Sequence, residues 1–389
     1  MSDYGGQIVR NGLLDVMARP KSWAVTRLQY RILNAFEKML PHPRVAGLAA
    51  RVARRLVGGY PYSIKVEIND YCTLRCPMCY VDKAHHDLPL DRIIALLDAL
   101  RGLQTRLEIL GGEPIMRPDL NEIIRHAKQE ARLPFVSLYT NGVLATPEVA
   151  QGLKAAGLDV AIVSLISHDE KAHDAFVGVP GSWQKTIAGI RSFREAGVEA
   201  YTFTSIHQHN YRDYQTTYNF IDQELHAHPL YYQYVPQRKD DPLMIDPVMW
   251  REIKHWVLYE KTPEHRDFVR DFYMLTGCAC SGGNFVFTVK VDGTVQPCPF
   301  IQDIPLGNVL EDDFWTIFTR RYAQPLLRTF KSLPEECTGC SYASVCGGGC
   351  KAGNTELYGS YARRDHRCLG PFHEPLSPEQ VCDRVPTFF

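Results

Sequence analysis

Apolar and polar residues alternate along Tyr62-Ser-Ile-Lys-Val-Glu-Ile-Asn69, the period of two that marks a strand with one buried face. The same pattern predicts strands over Arg106–Leu110, Phe135–Tyr139, Val160–Leu165, Glu199–Ile206 and Tyr231–Val235. Between them the apolar spacing turns helical, with helices beginning near Leu90, Pro118, Pro147, Ser182 and Tyr214. Pro118-Asp and Pro147-Glu put a proline and an acid in the first helical turn, where a missing N–H costs nothing and a negative charge is favoured. Strand–helix units in series imply a parallel sheet with right-handed crossovers. Six units rather than eight predict an α/β fold of the open, partial (βα)6 TIM type. Parallel strands deliver their following loops to one face, so whatever leaves the first strand meets the later loops.

The flanks read differently. Residues 1–60 predict helices over Lys21–Met39 and Pro43–Val57, with ten Lys and Arg against Asp3, Asp15 and Glu37. The favoured reading is a helical extension packed on the barrel with its basic face in water. The alternative is peripheral contact with an anionic membrane. Residues 61–240 form the barrel, and 241–276 a charged, aromatic bridging segment with helical spacing from Met249 to Tyr259. Residues 277–389 are rich in glycine and cysteine. Within them Phe285-Val-Phe-Thr-Val-Lys-Val, Asp292-Gly293 and Thr-Val-Gln-Pro predict a hairpin with an Asp-Gly turn.

Composition adds limits. The 389 residues are 45% hydrophobic and 22% charged, ordinary for a globular chain with a large core. A net charge of −1 gives no overall pull toward nucleic acid. No apolar run approaches the roughly eighteen residues of a spanning helix, and the first residues lack a secretory layout. Twelve cysteines without an export signal read as metal or redox sites rather than disulfides. The expectation is a cytoplasmic, oxygen-sensitive protein.

Cys72-Thr-Leu-Arg-Cys76-Pro-Met-Cys79 follows the first strand. Thiolates are the usual ligands of iron–sulfur clusters, and three of them can hold a four-iron cube with one iron left open. Zinc is the other reading, but it asks for a fourth ligand nearby and commonly for paired Cys–x–x–Cys.

The Cys–x3–Cys–x2–Cys spacing after a first strand resembles the radical SAM superfamily. The resemblance implies that Cys72, Cys76 and Cys79 bind a 4Fe–4S cluster whose open iron takes the amino and carboxylate groups of S-adenosylmethionine (SAM). It further implies reductive cleavage to a 5′-deoxyadenosyl radical that abstracts a hydrogen atom from substrate, with electrons from a flavodoxin- or ferredoxin-type donor. Gly111-Gly112-Glu113-Pro114 is similar to the family's GGEP segment, which holds the SAM amino group. Thr140-Asn141-Gly142 is similar to its TNG segment. Ser164 stands where a polar SAM contact is common, Tyr234-Val235 where adenine lies, and Met78 where the family often has an aromatic. His168-Asp169, His173-Asp174, Thr204-Ser205 and Asn210 are further polar groups at strand ends. Val177-Gly178 replaces the Arg-Gly by which relatives approach the SAM carboxylate. His85 and His86 read as exposed loop residues.

The later cysteines resemble a SPASM domain, which holds two auxiliary 4Fe–4S clusters. By that resemblance Cys278, Cys280, Cys298 and Cys350 make the first and Cys337, Cys340, Cys346 and Cys368 the second, leaving Cys382 over. If Cys278 does not bind, the first auxiliary cluster keeps an open iron. The resemblance implies a modified peptide as substrate, with small-molecule work (porphyrin, cofactor or antibiotic) as the alternative. Pro299 follows Cys298 where sulfatase-maturing relatives carry an Asp, which speaks against that subgroup.

Overall fold

The structure, a computed structural model, describes residues 61–374 apart from 62, 104, 262–281, 284–285, 342 and 344–346. The helices expected before residue 60, and Cys278, Cys280, Cys346 and Cys382, lie outside the described residues. Two compact units form: one from Pro61–Tyr234 with Asn284–Phe318, the other including Val235–Gly283 and Thr319–Phe389.

The first unit is built on strands β1 (Ser63–Glu67), β2 (Arg106–Leu110), β3 (Phe135–Thr140), β4 (Val160–Ser164), β5 (Glu199–Ile206) and β6 (His228–Gln233), each parallel to the next. Helices α1 (Leu90–Ala99), α2 (Leu120–Arg125), α3 (Pro147–Ala156), α4 (Glu170–Val177), α5 (Ser182–Glu195) and α6 (Tyr214–Asn219) make the crossovers. The alternation explains the layering. Ile64, Val66, Ile68, Leu107, Ile109, Val136 and Leu138 are all but sealed from water, as are Ile93, Leu96 and Leu97 of α1. Each such side chain contributes about 1.5–3 kcal/mol relative to exposure.

Two departures from the expected elements have clear causes. β6 starts at His228, ahead of the expected Tyr231, and runs through Pro229. It is the outermost strand of the sheet, where a proline's missing N–H breaks no ladder. A helix the pattern did not announce, α4, is started by Asp169, whose carboxylate accepts the Ala172 N–H at 2.7 Å. The aspartate of one candidate polar pair is therefore a cap.

The hairpin has a larger role than its sequence implied. Its first strand, β7 (Val286–Val289), lies parallel to β1 in the register Ser63↔Val286 to Val66↔Val289. β8 (Thr294–Gln296) and β9 (Gly307–Asn308) follow antiparallel, and the sheet order is β6-β5-β4-β3-β2-β1-β7-β8-β9. Gly293 turns the hairpin at φ +81, and a Cβ there would stand 2.4 Å from Asn308 Oδ1. In the second unit α7 (Pro247–Trp256) falls within the expected bridging segment. Among the described residues no helix is long and apolar enough to cross a membrane.

The opposite faces of β1–β3 carry polar groups. Glu108 accepts hydrogen bonds from Ser63 Oγ, Lys65 Nζ and, at 3.2 Å, Tyr139 Oη. Burial alone would raise its pKa, but Lys65 and Arg106 outweigh it and hold the carboxyl at about 2. A depressed carboxylate stabilises the fold fully above the ordinary range near about 4.3 and loses that contribution as pH falls toward the folded-state value. Glu108→Gln strands the Lys65 charge and is expected to cost about 3–5 kcal/mol at neutral pH. Urea midpoints of wild type and variant should converge as pH drops through about 4 to 2; a gap independent of pH would count against the ion pair.

Candidate functional site

The cysteine loop is stitched to the end of β2 by a ladder that outlasts both strands. Ile68 N–H donates to Leu110 O at 2.9 Å, Gly112 N–H to Asn69 O at 2.9 Å, and Glu113 N–H to Tyr71 O at 2.7 Å. Asn69 Nδ2 adds a bond to Glu113 O at 2.9 Å. The backbones approach so closely that a Cβ on Gly111 would lie 2.2 Å from Asn69 Oδ1, and one on Gly112 2.2 Å from Tyr71 O. The two glycines are required by this crossing. Arg117, which sequence reasoning passed over, is buried and donates to Ile68 O and Leu88 O, fixing the end of β1 from below.

Glu113 ties three loops together. Its Oε1 accepts from Ile115 N–H at 3.1 Å and Thr140 Oγ1 at 2.7 Å; its Oε2 accepts from Asn141 N–H at 2.7 Å. Complete burial raises its pKa, while the three donors pull the other way. Asn141 then reaches the cysteine loop, its Nδ2 standing 3.0 Å from Thr73 Oγ1 and 3.5 Å from Cys72 Sγ. The structure thus brings Gly111, Gly112, Glu113, Thr140 and Asn141 against the loop of Cys72. Pro114 is buried and opens the short turn after the glutamate.

The three thiols are near enough for their charges to be felt at Cys76. Burial raises Cys76 first, and the neighbouring Cys79 and Cys72 thiols take it to about 12. Burial also raises Cys72. Such a set resists holding three bare negative charges, and a bound cationic iron centre relieves the repulsion. Lys83 Nζ donates to Leu74 O at 2.5 Å and lowers both Cys72 and Cys76. Arg75 N–H anchors the loop to Val177 O at 2.8 Å. Met78 is half-buried among them.

The remaining candidates divide. Ser164 is half-buried at the end of β4 and Tyr234 buried after β6; Val235 falls in the other unit. Thr204 spends its hydroxyl on Leu165 O at 2.8 Å, and Asn210 bridges Ile166 O and Ser205 O at 2.9 Å each. Asp174 caps α5 through Gly181, Ser182 and Trp183. His173 is sealed in and driven down to about 4 by burial. These are structural partners. His86 is exposed and paired to Asp70 at 3.1 Å.

Sequence reasoning also missed Glu67 and Tyr80. Glu67 is 1% exposed, and burial lifts it to about 7 against the nearby Lys290. The alternation that faces Lys65 away from the apolar core faces Glu67 the same way, and that signal was available.

In the second unit Cys337, Cys340 and Cys368 draw together: burial, then Cys368 and Cys340, raise Cys337 to about 11. Phe372 N–H points at Cys340 Sγ at 3.5 Å. Buried Asp365 accepts the Cys350 N–H at 2.8 Å and holds Arg367 Nε at 2.8 Å. Cys298 sits on the hairpin side, in the first unit, and Cys350 in the second.

Residues 66–221 match the radical SAM superfamily, and residues 278–341 match SPASM, an iron–sulfur cluster-binding domain. An AdoMet-dependent heme synthase of Methanosarcina barkeri is 27% identical over 343 residues, covering 79% of this chain and 96% of the relative. A PqqA peptide cyclase of Ruegeria pomeroyi is also 27% identical, over 338 residues, 82% of this chain and 90% of the relative. The fold is that of Streptococcus suis SuiB bound to S-adenosylmethionine, with a TM-score of 0.64, 18% identity, and 82% and 81% of the two chains covered.

Proposed function

We propose that this chain, a radical SAM enzyme with a SPASM iron–sulfur domain, oxidises a ribosomally made peptide by removing a hydrogen atom from one of its C–H bonds. The observation that carries the reading is the convergence of the Cys72–Cys79 loop, the Gly111–Glu113 crossing and Asn141 on one end of the parallel sheet. Bound there, a 4Fe–4S cluster and SAM supply a one-electron initiator strong enough for an unactivated C–H bond.

The chain's own residues do the rest. Cys72, Cys76 and Cys79 hold three irons. The Gly111–Gly112 backbone, with no side chains in the way, offers carbonyl oxygens to an ammonium group. Glu113 keeps that backbone and Asn141 in register. Ser164 and Tyr234 would border a bound nucleoside, and Met78 would offer it a soft, polarizable surface. Cys337, Cys340, Cys346 and Cys368 hold one auxiliary cluster, and the other later cysteines remain the expected ligands of a second. The enzyme works in the reducing cytoplasm with a small iron–sulfur or flavin protein as electron donor.

A similarity of 27% to a named peptide cyclase supports the peptide. The equal similarity to a named heme synthase favours a second reading, porphyrin side-chain oxidation. Both are tested together. Anaerobic, iron-loaded protein with dithionite and SAM is expected to release 5′-deoxyadenosine; none from fully loaded protein sinks the reading. Peptides translated from short reading frames beside the gene, and a porphyrin with propionate side chains, are then offered in parallel. A peptide mass loss of two hydrogens supports the first reading, and loss of carbon dioxide from the porphyrin supports the second.

A further inference from the structure

Glu67 stands apart from the residues used so far. It lies on β1, 1% exposed, on the side of the strand that also carries Lys65 and away from the Ile64–Val66–Ile68 core. Its Oε2 is 3.7 Å from Lys290 Nζ, at the end of β7. The Tyr80 hydroxyl, next in chain to Cys79, lies near the carboxyl and favours its charged form. Asp292, at the hairpin turn, adds a weak opposing charge, and the β2 partner in register is apolar Leu110. Oε1 has no hydrogen-bond partner among the described residues, although it is shut off from water.

A buried acceptor left unpaired costs about 1–3 kcal/mol. A donor that arrives only with the substrate is one way to satisfy such a group, and it is the one that fits a carboxylate in an enzyme's barrel. The surroundings hold the carboxyl firmly. Tyr80's ring packs edge-on against Phe300 at 5.1 Å, its carbonyl takes Gln302 Nε2 at 3.1 Å, and Lys290 lies 5.7 Å over its face. Loop, strand and hairpin therefore enclose Glu67 and leave one oxygen without a partner among the described residues. Pro299, beside Cys298, has no side-chain proton acceptor of its own.

We propose that Glu67 is the catalytic base that takes the proton released by the substrate's N–H or O–H as the substrate is oxidised, with Tyr80 and Lys290 positioning its carboxylate. The inference rests on the peptide reading above and deepens it. The balance is as follows. A substrate C–H and an X–H give up two hydrogens and form a C–X bond. One leaves as a hydrogen atom to the initiator and one as a proton to Glu67. The remaining electron goes to an oxidised 4Fe–4S centre. A decarboxylation, which expels carbon dioxide, needs no such base. Burial supports the role by placing the carboxyl near about 7, where it is poised both to accept and to release a proton.

The test uses iron-loaded full-length protein. In Glu67→Gln the ratio of oxidised peptide to 5′-deoxyadenosine is expected to fall about 100-fold, and Glu67→Asp to recover part of it. The probes are the peptides translated from neighbouring short reading frames. In wild type that ratio should drop on the acid side of neutrality, and Lys290→Met should move the drop to higher pH. Infrared spectra of wild type between about pH 5 and 9 should show a carboxylic C=O band titrating near neutrality and missing in Glu67→Gln; this needs no substrate. An unchanged product ratio in Glu67→Gln, or no band specific to Glu67, overturns the proposal. Wild type that releases no 5′-deoxyadenosine overturns the reading beneath it instead.

Discussion

Replacing Cys76 by alanine is expected to abolish 5′-deoxyadenosine formation while leaving the auxiliary clusters in place. Cys76 is pushed to about 12 by burial and by its Cys79 and Cys72 neighbours. A group this reluctant to ionise alone is deprotonated readily only by a bound metal centre. Two remaining thiols cannot hold the cube in a form that leaves one iron open. On the proposed ligand sets three cubes carry about twelve irons, and iron analysis is expected to fall to about eight. The Cys337, Cys340 and Cys368 group lies in a separate unit and shares no thiol with the loop. Cleavage at the wild-type rate in Cys76→Ala would refute the loop's role. A fall in iron to near zero would show that the clusters do not load independently.

The second large effect is expected at Glu113. Alanine there leaves the Ile115 and Asn141 N–H groups and the Thr140 hydroxyl facing an empty, water-free space. Each unpaired donor costs about 1–3 kcal/mol, enough together to consume most of a typical domain's stability. Glu113→Gln is the more informative change. It keeps the volume, but one amide oxygen cannot accept from all three donors and its NH2 meets another donor. A loss of about 2–4 kcal/mol in urea unfolding is expected, with SAM affinity weakened at least about tenfold as Asn141 loses its hold on Thr73. A Glu113→Gln protein with wild-type stability and SAM affinity would mean that the carboxylate is not what joins the three loops.

Much of the framework was legible before any coordinates. β2 and β5 run where the alternation put them, and α1, α3, α5 and α6 begin where the spacing put them, α3 with the proline and acid of Pro147-Glu. Local rules suffice there because the period and the terminator lie in the same few residues. β6 shows where they stop: Pro229 reads as a strand breaker until the strand is known to lie at the edge. The cofactor loops were legible from motif spacing, but the function of Glu113 within them was not. Its partners are Thr140 and Asn141, and nothing local says that a glutamate after two glycines will be sealed in and shared. The alternation marked the face Glu67 lies on, but its meeting with Tyr80 and Lys290 escaped notice for the same reason. They come from three distant segments and meet only because β7 pairs with β1.

That pairing also bears on how the protein can be divided. A chain cut after Tyr234 keeps every strand of the barrel motif yet strips β1 of the neighbour that covers its outer hydrogen-bonding groups. The exposed margin would run along Ser63–Val66, beside some of the most apolar residues of the molecule. Bare strand margins of this kind recruit other chains. The catalytic half produced by itself should therefore precipitate or self-associate, whereas a piece extended through Phe318 should stay dispersed.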